Sequence, residues 1–88
     1  MLIPIGLGNF VALEHIIAVV APESAPVKRA VKAAKESDTI IDATLGRLTR
    51  SVIFMTNNSV VLSSINPQTI IDKVNNPSKK SKKEDQDE

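Results

Sequence analysis

The chain has no cysteine and a single histidine, His15. Without cysteine there is no disulfide framework and no thiolate zinc site, which suits a reducing compartment. With one histidine besides, neither a metal enzyme nor a bound cofactor is expected. The opening stretch MLIPIGLGNFVALEHIIAVVAP lacks the basic start of a signal peptide, and Pro4, Gly6, Gly8, Asn9, Glu14 and His15 break its apolar span. The expectation is a soluble cytoplasmic protein with no membrane partner.

Excess charge is also missing. The net charge is +1, with seven Lys/Arg against six Asp/Glu in residues 1–76 and four of each in 77–88. So little net charge gives almost no long-range field to steer a monomer toward nucleic acid. Such binding would have to come from local clustering or from repetition in an oligomer. Length sets a further bound: 88 residues make one domain, and a chain this short buries only about 60–65% of the surface that its unfolded form exposes. Self-association is expected on that ground.

What is present reads as an α+β domain over residues 1–75, mainly antiparallel sheet with two helices, followed by a charged tail over 76–88. Leu2–Ile5 reads as a strand, GLGN at 6–9 as a turn or bulge, and Phe10–Val20 as one long strand or two broken ones. Ser24 is the predicted N-cap of a helix with Pro26 in its first turn. Apolar residues at 27, 30, 31 and 34 then form a helical stripe beside Lys28, Lys32 and Lys35, and the helix should end near Ser37–Asp38. Thr39–Thr44 is a predicted strand. Ser51–Thr56 and Ser59–Ile65 form a predicted hairpin turning at Asn57–Asn58, residues that tolerate positive φ. Asn66 and Pro67 open a closing helix with Ile70, Ile71 and Val74 facing inward.

Consecutive apolar residues in Val52–Met55 and Val60–Leu62 ask for cover on both sheet faces. The two helices are expected on one face and a second subunit on the other. The tail, NPSKKSKKEDQDE, has no large apolar residue and carries a cationic block before an anionic one, so it reads as disordered.

No motif specifies catalysis or a small-molecule substrate. GLGN is followed by a strand-like run instead of the helix N-terminus that a phosphate loop requires. Glu14 and His15, in an alternating strand, would point to opposite faces and form no dyad. The lysine ridge Lys28, Lys32 and Lys35, with Arg29 on its shoulder, is by default a solvated helix face and alternatively a set of phosphate contacts. Arg47 and Arg50 differ in kind: they sit in a Gly46-initiated loop, and guanidinium forks suit phosphate oxygens or a guanine edge. On the residues alone, phosphate binding and a simple pairing of one arginine with Asp42 stand level.

Taken together, IGLGN near the start, PESAPVKR at 22–29, IDATLGRLTR at 41–50 and LSSINPQTI at 62–70 resemble the bacterial family of the extracellular matrix regulator RemA. The resemblance implies a DNA-binding transcriptional regulator of matrix, biofilm or stress genes, with a LytTR-like fold and subunits assembled in a homo-oligomeric ring. Its partners would be double-stranded DNA and further copies of itself, and it would associate with the bacterial nucleoid. Arg47 and Arg50 match arginines of the family motif, with Lys28, Arg29 and Lys32 as auxiliary phosphate contacts, and Pro26 matches a position associated with assembly. Leu48 and His15 stand where the family typically has arginine. That departure leaves a second reading, an oligomeric scaffold or protein-binding module that has lost strong DNA binding.

Overall fold

The computed structural model describes residues 1–75; the tail expected to be disordered, 76–88, lies outside the described residues. The order is β1 (Leu2–Gly6), β2 (Asn9–Ala12), a 3-10 turn (Leu13–His15), β3 (Ile16–Val20), α1 (Ala25–Glu36), β4 (Ile40–Asp42), β5 (Ser51–Met55), β6 (Val60–Ser63) and α2 (Pro67–Asn75). The result is the α+β domain with two helices that the periodicities predict.

β1 and β2 form an antiparallel hairpin, with Ile3 opposite Val11 and Pro4 opposite Phe10. Its turn is GLGN, where Leu7 and Gly8 both have positive φ, 58° and 82°. The remaining strands make one mixed sheet in the order β3-β5-β6-β4. β5 is antiparallel to both β3 and β6, whereas β4 runs parallel to β6. β3 and β4, the two outer strands, therefore run in the same direction, and the connection between them carries α1 across the sheet.

Helix α1 starts where its local chemistry requires. Ser24 is extended (φ −74°, ψ 151°) and its hydroxyl accepts from the Val27 N–H, while Pro26 occupies the first turn, where no intrahelical donor is lost. At the far end the Ser37 N–H donates to Ala33, and Asp38 takes φ 60° to turn the chain into β4. α2 opens in the same way, with the Asn66 side-chain oxygen accepting from the Thr69 N–H at 2.9 Å.

The two faces of the sheet carry separate apolar clusters. Val27, Val31 and Ala34 of α1 pack on Val52, Val60 and Leu62, with Val20, Ile40 and Phe54 around them. On the opposite face Ile53 and Val61 meet Ile3, Ile5 and Val11 of the hairpin and Ile70 of α2. Alternation along β5 and β6 sends neighbouring residues to opposite clusters, which is why both strands are apolar at consecutive positions.

Four expectations are corrected here. The face assigned to a second subunit is covered by the β1–β2 hairpin and α2, so the helices lie on opposite faces of the sheet. The hairpin supplies the cover that a count of helices alone could not find. Ile71 does not face inward: it is 40% exposed while Ile70 is fully buried, because consecutive helical positions diverge by about 100° around the axis. Glu14 and His15 lie in the 3-10 turn between two strands, where both are exposed, and not in an alternating strand. Finally, the predicted strand at 39–44 is paired only over Ile40–Asp42, since Thr44 has left the ladder to enter a loop.

Candidate functional site

Because β3, β4 and β6 run in one direction and β5 runs against them, the ends of Val20, Asp42 and Ser63 and the start of Ser51 lie together along one edge of the sheet. Each helix begins a few residues beyond one of those strand ends, so the N-termini of α1 and α2 are delivered to that same edge. A helix N-terminus carries a partial positive charge. The connection between β4 and β5, residues 43–50, crosses this edge with two arginines and no acid.

That loop is held at both ends. The Ala43 N–H donates to the Leu62 carbonyl at 3.0 Å and the Arg50 N–H to the Ser63 carbonyl at 2.8 Å. Between them the chain reverses over Thr44–Arg47: the Arg47 N–H donates to the Thr44 carbonyl at 2.9 Å, with Leu45 at φ 51° and Gly46 at φ 84°. Two successive positive φ values give the turn type I′ character, which glycine adopts without strain and leucine does not. Asp42 fixes the entry, its Oδ1 accepting the Thr44 N–H at 2.9 Å and the Thr44 hydroxyl at 2.6 Å. These bonds to Thr44, assisted by the charge of Lys35, hold the Asp42 carboxyl below the usual carboxylate range despite some desolvation.

The GLGN turn supports the loop from below. The Asn9 side-chain amide donates to the Gly6 carbonyl at 3.1 Å, and more weakly to Leu7 and to Ala43 at 3.4 and 3.5 Å. The Ser63 hydroxyl adds a tie to the Ile5 carbonyl at 2.8 Å and accepts the Ile65 N–H at 3.0 Å. The glycine-containing turn thus reaches the start of the arginine loop at Ala43.

Arg47 and Arg50 are both exposed on this braced loop, and Arg50 forms no ion pair among the described residues. Lys28 and Arg29 are exposed in the first half of α1, toward the same sheet edge, and Lys32 is exposed farther along the helix. Pro26 is exposed in the first turn of α1. His15 lies at the opposite edge, its Nδ1 3.1 Å from the Thr56 hydroxyl, with the Thr56 N–H donating to its carbonyl at 2.8 Å. Nearby, the Glu14 carboxylate meets the Met1 amino group at 2.6 Å, which lowers its pKa. Sequence reasoning singled out the arginines but missed their positioning residues, Asp42, Thr44 and Asn9. An Asp with Thr two positions later is the local signal for Asp42, since short polar side chains commonly accept from backbone two residues on. Among the described residues, no group of His, Asp or Glu is arranged to hold a metal ion, and no helix is long and apolar enough to cross a membrane.

Comparison with known proteins places this sequence in a family. Residues 2–74 match the family model described as RemA-like, extracellular matrix regulatory protein A-like. Over 72 residues the chain is 54% identical to proteins of Bacillus cytotoxicus, Bacillus mycoides and Bacillus cereus, each named "Putative regulatory protein", with 82% of this chain and 83% of each relative covered. The chain belongs to the RemA-like family of regulatory proteins.

Proposed function

We propose that this RemA-like regulatory protein binds double-stranded DNA and controls transcription of matrix, biofilm or stress genes as a ring-like homo-oligomer. Arg47 and Arg50 face the DNA and contact its phosphates. Lys28, Arg29 and Lys32 add auxiliary contacts, and Pro26 lies in the subunit interface. The observation that carries this reading is the position of two exposed arginines on an acid-free loop, pinned at the sheet edge where both helices begin. Guanidinium groups held in place lose less freedom on meeting a phosphate than groups on an untethered loop.

Assembly resolves the charge difficulty. One subunit offers two to five phosphate contacts and binds weakly, whereas several linked subunits bind with avidity. The surface has apolar area available for this purpose. Leu2 and Phe10 are exposed on the outer side of the β1–β2 hairpin, opposite to Ile3, Ile5 and Val11. A patch of this kind is a common feature of subunit contacts.

The test is a titration of a fluorescent duplex with the full chain at about 50 and 200 mM salt, alongside light scattering of the protein alone. Counterion release should weaken binding by roughly 10³–10⁵ across that range if six to ten phosphates are engaged. Assembly without DNA retention at the lower salt would instead favour the scaffold reading.

A further inference from the structure

Leu45 and Leu48 are the two most exposed large apolar side chains in the described structure, at 73% and 71%. Both lie in the arginine loop, one on each side of Arg47, and neither joins either apolar cluster. Leu45 also holds φ 51°, a left-handed conformation that costs an L-residue with a Cβ about 1–2 kcal/mol. Nothing in the fold is gained by placing leucine here. The bonds that Thr44 donates to Asp42 and that the Arg50 N–H donates to Ser63 tie the loop down on both sides of the two leucines.

We propose that Leu48, with Leu45 beside it, is an apolar wedge that enters the minor groove of DNA whose flanking phosphates are held by Arg47 and Arg50. This rests on the DNA-binding reading above. The occupant must offer an apolar surface bordered by anions, because the loop presents Leu48 between two guanidinium groups, with Leu45 ahead of them and no carboxylate. A duplex minor groove has phosphates on both rims and a width of about 6 Å, and the faces of its stacked bases are the apolar surface that a wedge reaches. An aliphatic side chain pressed into a base step partly unstacks it and bends the duplex toward the major groove. The energy required depends on the step, so pyrimidine–purine steps such as TA and CA are preferred without any hydrogen bond to a base. Leu48 therefore does more than vacate a phosphate contact: it exchanges charge for deformation of the DNA.

The experiment uses the full chain with duplexes of about 30 base pairs that carry a dye at each end, and compares the parent with Leu48→Ala and Leu48→Arg. Leu48 touches no cluster, so melting curves should coincide. Energy transfer should report a bend with the parent that both variants lose. Leu48→Ala should retain the salt slope while losing about tenfold in affinity for a TA-containing duplex. Leu48→Arg should steepen the salt slope and erase the preference for TA. Equal bends and affinities for parent and Leu48→Ala overturn the wedge and leave DNA binding standing. A Leu48→Ala protein whose DNA-free assembly size changes also overturns it, placing the leucine between subunits. Failure of the parent to bind any duplex at about 50 mM salt removes the DNA-binding reading and the wedge with it.

Discussion

Thr44 donates both its N–H and its hydroxyl to one oxygen of Asp42, at 2.9 and 2.6 Å. Thr44 is buried, so its hydroxyl has no water to turn to when Asp42 changes. The pair closes the end of β4 and sets the direction of the loop that carries Arg47 and Arg50. Its electrostatic consequence is an Asp42 carboxyl held below its ordinary range by these two bonds.

A folded-state pKa below the unfolded value contributes stability that is present above the unfolded pKa and is lost as pH falls through the folded one. For an aspartate the loss begins near pH 4 and continues downward, with the reference value at about 3.9. Urea unfolding between pH 7 and 3 should therefore show a steeper acid decline for the parent than for Asp42→Asn. Glu14, also depressed, contributes in the same window but is common to both proteins. Asp42→Ala should be less stable near neutral pH by about 1–2 kcal/mol, since Thr44 loses its acceptor. Parallel acid curves for parent and Asp42→Asn would disprove the assignment.

Much of this was readable in the residues, for reasons that differ by element. Ser24 and Pro26 announce α1 because capping is local chemistry, and Asn66 with Pro67 announces α2 in the same way. The β5–β6 turn was legible because Asn58 tolerates its φ of 70°. The source of cover for the second sheet face was not legible. Apolar runs in β5 and β6 say that both faces need partners, but the contact between Ser63 and Ile5 joins positions 58 apart, and no local pattern encodes it. For the candidate site, an exposed arginine loop could be inferred. Its meeting with two helix N-termini could not, because that depends on the parallel pairing of β4 with β6.

Two adjacent buried serines should respond oppositely to loss of the hydroxyl. Ser63 donates to the Ile5 carbonyl and accepts from the Ile65 N–H, so Ser63→Ala strands two buried backbone groups. It should cost about 2–3 kcal/mol in chemical denaturation. The buried Ser64 hydroxyl has no hydrogen-bond partner among the described residues, and Ser64→Ala should be neutral or stabilising. A larger loss at Ser64 than at Ser63 would contradict this division.

The turn over Thr44–Arg47 offers a direct test of backbone strain. Leu45→Asn removes an exposed side chain and installs a residue that tolerates positive φ ahead of Gly46. It should raise stability by up to about 1 kcal/mol. Gly46→Ala should lower it by about 1–2 kcal/mol through φ alone, because a Cβ there meets nothing within 4 Å. Thermal melts that move together in the two variants would count against the strained turn.

The central claim is that Arg47 and Arg50 neutralise DNA phosphates, and the slope of log affinity against log salt measures this most directly. The measurement compares the parent, Arg47→Ala, Arg50→Ala and the double substitution on one duplex, each protein first checked for unchanged assembly. Every phosphate contact removed should flatten the slope by about 0.9, multiplied by the number of subunits engaged. The double substitution should therefore show the flattest line and the weakest binding at low salt. Slopes and affinities identical to the parent's in all three variants would contradict the account.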